Sequence, residues 1–290
     1  MSDLVRPTAQ SFAIGEFRIS TILDGTHIRT PLNPPFAMDK SDAELAAIGA
    51  VNRLPHDRFE NGYTPTVIDT GTERVLVDVG FGAAGRDQGA GALRARLADV
   101  GYGPEDITIV ALTHVHPDHI LGLMEGDTLA FPNARHMIGR REFDEWSRGD
   151  LIPEGRAKNR EMFLNIVAPL AERFTFLNDG DAAAPGVTAE AAFGHSVGHM
   201  MYRVESGGRQ VLVWGDVCNH YVFSMQHPES PVGFDDDKEA AITTRRRVLD
   251  MAATDDLLIA GHHMPFPSVG YVERMGDAFR WVPAGYQLWI

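Results

Sequence analysis

The chain's 290 residues, 44% of them hydrophobic, suffice for one large α/β domain or two modest ones and exclude disorder as the default state. A formal net charge of −14 argues against a general binder of nucleic-acid backbones, which needs a basic patch. The one cysteine, Cys218, excludes an internal disulfide framework and any cysteine-rich zinc module, which leaves histidines and carboxylates as candidate metal ligands.

The opening "MSDLVRPTAQSFAIG" has acidic and polar residues where a signal peptide would have an apolar core, and no run approaches a membrane span. A soluble cytoplasmic protein is the expectation. An excursion at about residues 30–60 carries a capping box, Ser41 to Glu44, in "SDAELAAIGAV", which predicts a short helix. "TPTVIDTGTERVLVDVG" then predicts a hairpin, Thr64–Thr70 and Arg74–Val79, turning at Gly71 and Thr72. "GALRARLADVG" has helical spacing up to Gly101, and "ITIVALTH" returns to a short buried strand. The segment at about 140–171 is mostly helical. With the excursion, it is a candidate pocket wall within a single domain spanning 1–290. Three short strands follow in "GVTAEAAFGHSVGHMMYRVESGGRQVLVWGD", then a helix around "DKEAAITTRRRVLDMAA" and a last strand "DLLIAG", repeating the theme of the first half.

"THVHPDH", residues 113–119, stands directly after the strand. In extended chain His114 and His116 point the same way, so two imidazoles converge on one point. Pro117 stops the strand, and Asp118 and His119 turn off it as a second pair. A lone histidine here would more often be a hydrogen-bonding loop residue. Four ligand-type residues in six positions favour a metal site, with an open coordination position for water. Further ligands should lie at other strand ends. "FGHSVGHMM" offers His195 between glycines, "VLVWGDVCN" offers Asp216, and "LLIAGHHMPFP" offers His262 and His263. Each alone reads as a cap or turn residue; their joint occurrence does not.

This order of motifs resembles the metallo-β-lactamase superfamily, from "NGYTPTVIDTG" to "GHHMPFPSVGY". The resemblance implies a four-layer αββα sandwich of two similar halves with a dinuclear metal site at one edge. It implies that His114, His116 and His195 hold one ion, that Asp118, His119 and the late histidine hold the other, and that Asp216 bridges them. The complete His-x-His-x-Asp-His motif with "HMPFP" is similar to N-acyl homoserine lactonases and methyl parathion hydrolases. In the latter the histidine before "x-x-F-P" is the ligand, which maps to His263 and leaves His262 as a supporting residue. Two divalent ions are expected, zinc first, with manganese, iron or cobalt as alternatives. They would acidify a water between them while Asp118 orients it and relays a proton to the leaving group. Asp78, in "VLVDVG", matches the superfamily's strand-end aspartate and is a candidate for orienting a ligand; a turn or cap is the competing role.

One departure stands out. The lactonases carry a tyrosine three residues after the bridging aspartate, where this chain has Asn219. Asn219, His220 or Tyr221 is then left to supply a hydrogen bond. The resemblance implies a hydrolase of apolar esters or lactones, promiscuous on organophosphate triesters, with a glyoxalase-II-like thioesterase or a non-catalytic metal binder as alternatives. Anionic thioesters would want clustered Lys or Arg, which the sequence does not display. Phe36, Trp146, Phe223, Met225, Phe266 and Trp281 are candidates to line an apolar pocket. The partner expected is a small-molecule ester or lactone, with no nucleic acid and no membrane; a homodimer is left open. His27, His56, His136, His199, His220 and His227 are assigned structural or surface roles, with His199 and His220 nearest the site. Cys218 reads as a small buried hydrophobe, and "RRR" at 245–247 as a solvated helix face.

Overall fold

In a computed structural model of the chain, residues 6–285 are described. Residues 1–5, on which part of the signal-peptide expectation rests, lie outside them. Two seven-stranded sheets form the centre of the molecule. The first runs Ala9–Ile14, Phe17–Ile22, Thr66–Asp69, Arg74–Val77, Ile109–Ala111, Arg135–Gly139, Phe174–Leu177. The second runs Ala182–Ala184, Val187–Ala191, Met200–Ser206, Arg209–Val213, Leu258–Ala260, Val269–Met275, Ala278–Pro283.

Period-two side chains decide how these sheets stack. In Arg74–Val77, Val75 and Val77 enter a core that also takes Val211, Val213, Leu258 and Ala260 from the other sheet, while Leu76 faces the opposite way. Ile109 and Ala111 repeat the pattern, with Val110 on the outer face. Such strands are buried on both faces, which is why they read as unbroken apolar runs rather than alternating ones. Outside the first sheet, Leu93, Leu97, Ile120, Trp146 and Phe163 from short helical segments close a second core. Outside the second, helix Lys238–Thr254 buries Ala241, Arg245, Val248, Leu249 and Ala252, one stripe at helical spacing, and Asp237 caps it by accepting from Ala240 N at 3.0 Å. The layers are therefore α, β, β, α.

The predicted hairpin is present as Thr66–Asp69 against Arg74–Val77, with Gly71 supplying the positive φ of +85° that the turn needs. The excursion contains helix Asp42–Asn52, whose Ser41 N donates to Glu44 Oε2 at 2.8 Å as the capping box predicts. Gly25–Arg29 pairs antiparallel with Phe59–Tyr63 in a separate two-stranded ribbon. The helical segment divides into Arg140–Arg148 and Ala157–Ile166. No helix among the described residues is long and apolar enough to cross a membrane.

Arg74–Val77, Ile109–Ala111 and Arg135–Gly139 run parallel, as do Arg209–Val213 and Leu258–Ala260. The candidate ligands other than His195 follow the carboxyl ends of these strands, where an open α/β sheet presents its loops, and His195 lies in the loop between the antiparallel strands Val187–Ala191 and Met200–Ser206. Asp78 follows Val77, the His114 loop follows Ala111, Asp216 follows Val213, and His262 and His263 follow Ala260.

Candidate metal centre

The first ligand loop is shaped by what flanks it. His116 is the extended N-cap residue (φ −70°, ψ 157°) of the short helix Pro117–Ile120, with Pro117 pre-set at the first helical position. His114 and His116 thus end the extended chain, and Asp118 and His119 occupy the first helical turn. The glycines around His195 permit close packing of its loop against two helices. A Cβ on Gly194 (φ +128°) would stand 2.2 Å from Ala241 N, and one on Gly198 would stand 2.1 Å from Glu142 N.

The predicted ligand side chains converge. His114, His116 and His195 present ring nitrogens that all lie within 4.8 Å of one another, and the same holds for the ligand atoms of His114, His119 and Asp216 and for those of Asp118, His119, His262 and His263. His116 Nδ1 is 3.0 Å from His195 Nε2. Asp216 sits at the centre: its Oδ2 is 3.2 Å from His195 Nε2 and 2.9 Å from His263 Nε2, and its Oδ1 is 3.3 Å from His119 Nε2. Asp118 Oδ2 lies 3.5 Å from His263 Nε2 and 3.6 Å from His119 Nε2.

These residues fit a metal. His114 Nε2, His119 Nε2 and Asp216 Oδ1 are buried with no hydrogen-bond partner among the described residues, a costly condition that coordination would relieve. Burial pushes His114 well below the usual imidazole range and, with the Arg156 charge, takes His116 down to about 4, so both are neutral and ready to ligate. At His119 burial acts in the same direction, but the carboxylates of Asp78, Asp216 and Asp118 outweigh it and raise its pKa. A bound cation would take the place of that proton among the carboxylates.

The ring nitrogens facing away from the cluster are also held. His119 Nδ1 is 2.8 Å from Asp78 Oδ2, and Asp78 accepts from Thr113 N at 2.8 Å as well. Asp78 itself has φ +62°. His195 Nδ1 is 2.9 Å from Asp235 Oδ1, His116 Nε2 is 3.3 Å from Asp236 Oδ2, and His263 Nδ1 is 2.8 Å from Gly62 O. Of these partners the sequence pointed only to Asp78. Asp235 and Asp236 belong to a run of aspartates ahead of a helix, a pattern that reads as capping. Each is anchored by an arginine: Arg245 Nη2 donates to Asp235 Oδ2 at 2.6 Å, and Arg156 Nε donates to Asp236 Oδ1 at 2.7 Å. Arg245 also donates to Pro228 O and Ser230 O and is 0% exposed, so the "RRR" run does not form a wholly solvated face. Glu142, also unsuspected, is buried and pushed up to about 7 by that burial. It accepts from Val115 N (3.0 Å), Ser196 Oγ (2.6 Å) and Gly198 N (2.7 Å), joining the loop of His114 and His116 to that of His195.

Of the supporting candidates, Asn219 Nδ2 donates to Asp216 Oδ2 at 2.9 Å. His262 lies tilted against His119, with ring centroids 4.1 Å apart and an interplanar angle of 33°, and leaves a buried Nε2 without a partner among the described residues. His220 Nδ1 instead accepts from Val222 N at 3.0 Å and Phe223 N at 3.3 Å, which commits it to its own turn. His199 Nε2 accepts from Asp216 N at 3.0 Å, so that histidine buttresses the central carboxylate. Cys218 is buried, and desolvation pushes its thiol up to about 12.

Two cavities meet at this cluster. One of about 240 Å³ is lined by His116, Asp118, His195, Asp216 and His263 together with Arg29, Tyr63, Phe81, Arg156 and Asn159. A larger one of about 640 Å³ is lined by Leu23, Ile28, Leu54, Phe59, Tyr221, Phe223, Met264 and Phe266, among others. Asn61, Asn219 and His263 border both. Of the expected apolar lining, Phe223 and Phe266 are in place. Phe36 packs edge-on to Phe59 and His220, Met225 and Trp281 belong to the core beneath helix Lys238–Thr254, and Trp146 stands edge-on behind His116 and donates to Ser196 Oγ. Arginines are present where the sequence displayed no cluster, but Arg156 is committed to Asp236 and Phe234 O. Arg6 pairs with Glu60 and Arg58 with Asp57. Arg29 is left as the cavity-lining arginine without a carboxylate partner among the described residues.

A cluster of imidazoles and carboxylates at the edge of an αββα sandwich defines a metallo-hydrolase fold. The family model of the metallo-beta-lactamase superfamily matches residues 62–263, and the chain belongs to that superfamily. Among curated relatives, ribonuclease Z of Nocardia farcinica is 37% identical over 84 residues, which are 29% of this chain and 23% of that protein. Metallo-beta-lactamase domain-containing protein 1 of Mus musculus is 28% identical over 194 residues, 66% of this chain and 60% of that protein. The matched stretches thus span less than two thirds of these relatives. Among solved structures, AidC, a dizinc quorum-quenching lactonase in complex with a product, superimposes with a TM-score of 0.90 at 24% identity, covering 96% of this chain and 98% of that one. The hydrolase AbOPH does so with 0.87 at 24%, covering 97% and 99%.

Proposed function

We propose that this chain is a metal-dependent hydrolase that cleaves an uncharged, apolar ester or lactone at a centre of two divalent ions. His114, His116 and His195 would hold one, Asp118, His119 and His263 the other, and Asp216 both; zinc suits this nitrogen and oxygen donor set. The observation that carries the substrate class is the meeting of the two cavities at Asn61, Asn219 and His263. A scissile group in the smaller one leaves an apolar tail beside Leu54, Phe223 and Phe266 in the larger.

Bound divalent ions would supply the charge that acidifies a water and polarises a carbonyl or phosphoryl oxygen. The chain's residues supply the rest. Asp118, on the rim of the smaller cavity, takes a proton from the attacking water and passes it to the leaving oxygen. Asp78, Asp235 and Asp236 hold the imidazoles in one orientation, and Glu142 holds two ligand loops at a fixed separation. The larger cavity removes the tail from water and positions the scissile bond. The lactonase and hydrolase named among the solved structures support this choice as analogy at the level of fold.

Phosphotriesters are expected to be slower substrates, since pocket shape and not the ions distinguishes them. Arg29 favours a second reading, a thioesterase for anionic thioesters, but one guanidinium is a thin match for several carboxylates. The deciding experiment is turnover of a panel of aryl ester, lactone, phosphotriester and S-D-lactoylglutathione by protein of measured metal content. Ester or lactone should lead. Leadership by S-D-lactoylglutathione would install the thioesterase, and no turnover by metal-replete protein would leave a non-catalytic metal binder.

A further inference from the structure

Asn219, standing where related lactonases have a tyrosine, is tied to Asp216 and offers the cavity no phenol. A different phenol is there. Tyr63 ends the strand Phe59–Tyr63 and lines the smaller cavity, its ring edge-on to His263 at 5.6 Å and to Phe81 at 4.7 Å. In the ribbon register Gly25 pairs with Tyr63, His27 with Asn61 and Arg29 with Phe59, so His27, Arg29, Asn61 and Tyr63 share one face. Arg29, Asn61 and Tyr63 of that face all border the cavity.

The phenol oxygen lies 3.0 Å from His27 Nδ1 and 3.4 Å from Arg29 Nη2. A guanidinium only donates, so Arg29 fills one lone pair of that oxygen. In the tautomer with its proton on Nδ1, His27 fills the other, and the phenol's own hydrogen is left to point at a third group; in the tautomer with its proton on Nε2, the phenol donates to Nδ1 instead. The ring is fixed on His263, whose Nε2 is 3.5 Å from Asp118, the residue expected to hand a proton to the leaving group.

We propose that Tyr63 is a catalytic residue, its hydroxyl oriented by Arg29 and His27 to donate a hydrogen bond to the leaving-group oxygen. The assignment rests on the hydrolase reading. In the step, water oxygen forms the new bond to the carbonyl carbon and the bond from that carbon to the leaving oxygen breaks. Its electron pair stays on the leaving oxygen, and the proton taken from water by Asp118 ends there. Tyr63 keeps its own proton throughout and stabilises the charge while it builds.

The test compares metal-replete wild type with Tyr63→Phe, which keeps the ring and its packing. The substrates share one acyl group and carry either an alkoxide leaving group, as in a lactone or alkyl ester, or p-nitrophenolate, which leaves without help. Turnover of the lactone and alkyl ester should fall about a hundredfold, with the p-nitrophenyl ester nearly unchanged and metal content equal. Arg29→Gln should shift the same ratio in the same direction by less. Calorimetry gives a readout apart from turnover. Wild type should bind the ring-opened hydroxy acid about tenfold more tightly than the analogue with hydrogen in place of that hydroxyl, and Tyr63→Phe should bind both alike. Equal losses on all esters, or no preference for the hydroxy acid in wild type, would overturn the assignment while leaving the hydrolase intact. A metal-replete wild type that cleaves no ester or lactone would remove both.

Discussion

His195 Nδ1 and Asp235 Oδ1 meet at 2.9 Å across 40 positions of sequence, and the other oxygen of Asp235 accepts from Arg245. The carboxylate therefore fixes the ring of one candidate ligand and balances a buried guanidinium. Asp235→Asn should lower metal affinity about 10- to 100-fold, read by competition with a chromophoric chelator; unchanged affinity would show that the contact is only structural. Arg245→Met should cost about 3 kcal/mol of stability in denaturant titration, because it removes the guanidinium that balances a buried carboxylate.

Asp118 is expected to act in proton transfer as well as in metal binding. Asp118→Asn should lower turnover about a hundredfold when compared with wild type at equal metal content. Rates near wild type at equal metal content would remove it from the mechanism.

Both late histidines enter the cluster with Asp118 and His119. His263 has Nε2 on Asp216 and Nδ1 on Gly62 O, whereas His262 lies tilted against His119 with a buried Nε2 that has no partner among the described residues, and the ion is assigned to His263. Elemental analysis should find His263→Ala depleted of one ion and His262→Ala close to replete. The reverse pattern would exchange their roles.

Metal removal should loosen the whole edge of the sandwich, since the cluster joins loops from both sheets. At a hundredfold excess over Kd, a bound ion adds about 2.7 kcal/mol, so restoring metal to chelator-stripped protein should raise Tm by roughly 4 °C per ion. Scanning calorimetry checks this, and an identical Tm would mean that no ion binds.

The larger cavity predicts a dependence on tail length. Each methylene moved out of water contributes about 0.8 kcal/mol, about fourfold in kcat/KM. Rates along an acyl series should climb by such steps until the cavity is full. A flat series would place the tail outside it.

Much of this was legible in the chain. Both ligand pairs of the first loop lie within six positions soon after "IVA", where strand period, extended chain up to Pro117 and the first helical turn set their directions with little help from elsewhere. The hairpin, the Ser41 to Glu44 cap and the doubly buried strands were equally local, since turn chemistry, capping and side-chain alternation act within a few residues. What packs against what was not local. Arg245 and its neighbours have the composition of a solvated helix face, yet Asp235 and two carbonyls enclose its guanidinium. Phe36, Trp146, Met225 and Trp281 look like pocket lining by composition, but the four-layer stacking assigns them to cores and to the wall behind His116. Tyr63 carries no motif, and the pairing of Gly25–Arg29 with Phe59–Tyr63 brings it to Arg29 and His27. Which donor types stand at which strand ends is therefore written in the chain, position by position. Which carboxylates support them and which residues line the cavities was settled by packing alone, because those choices rest on contacts between segments tens to hundreds of residues apart.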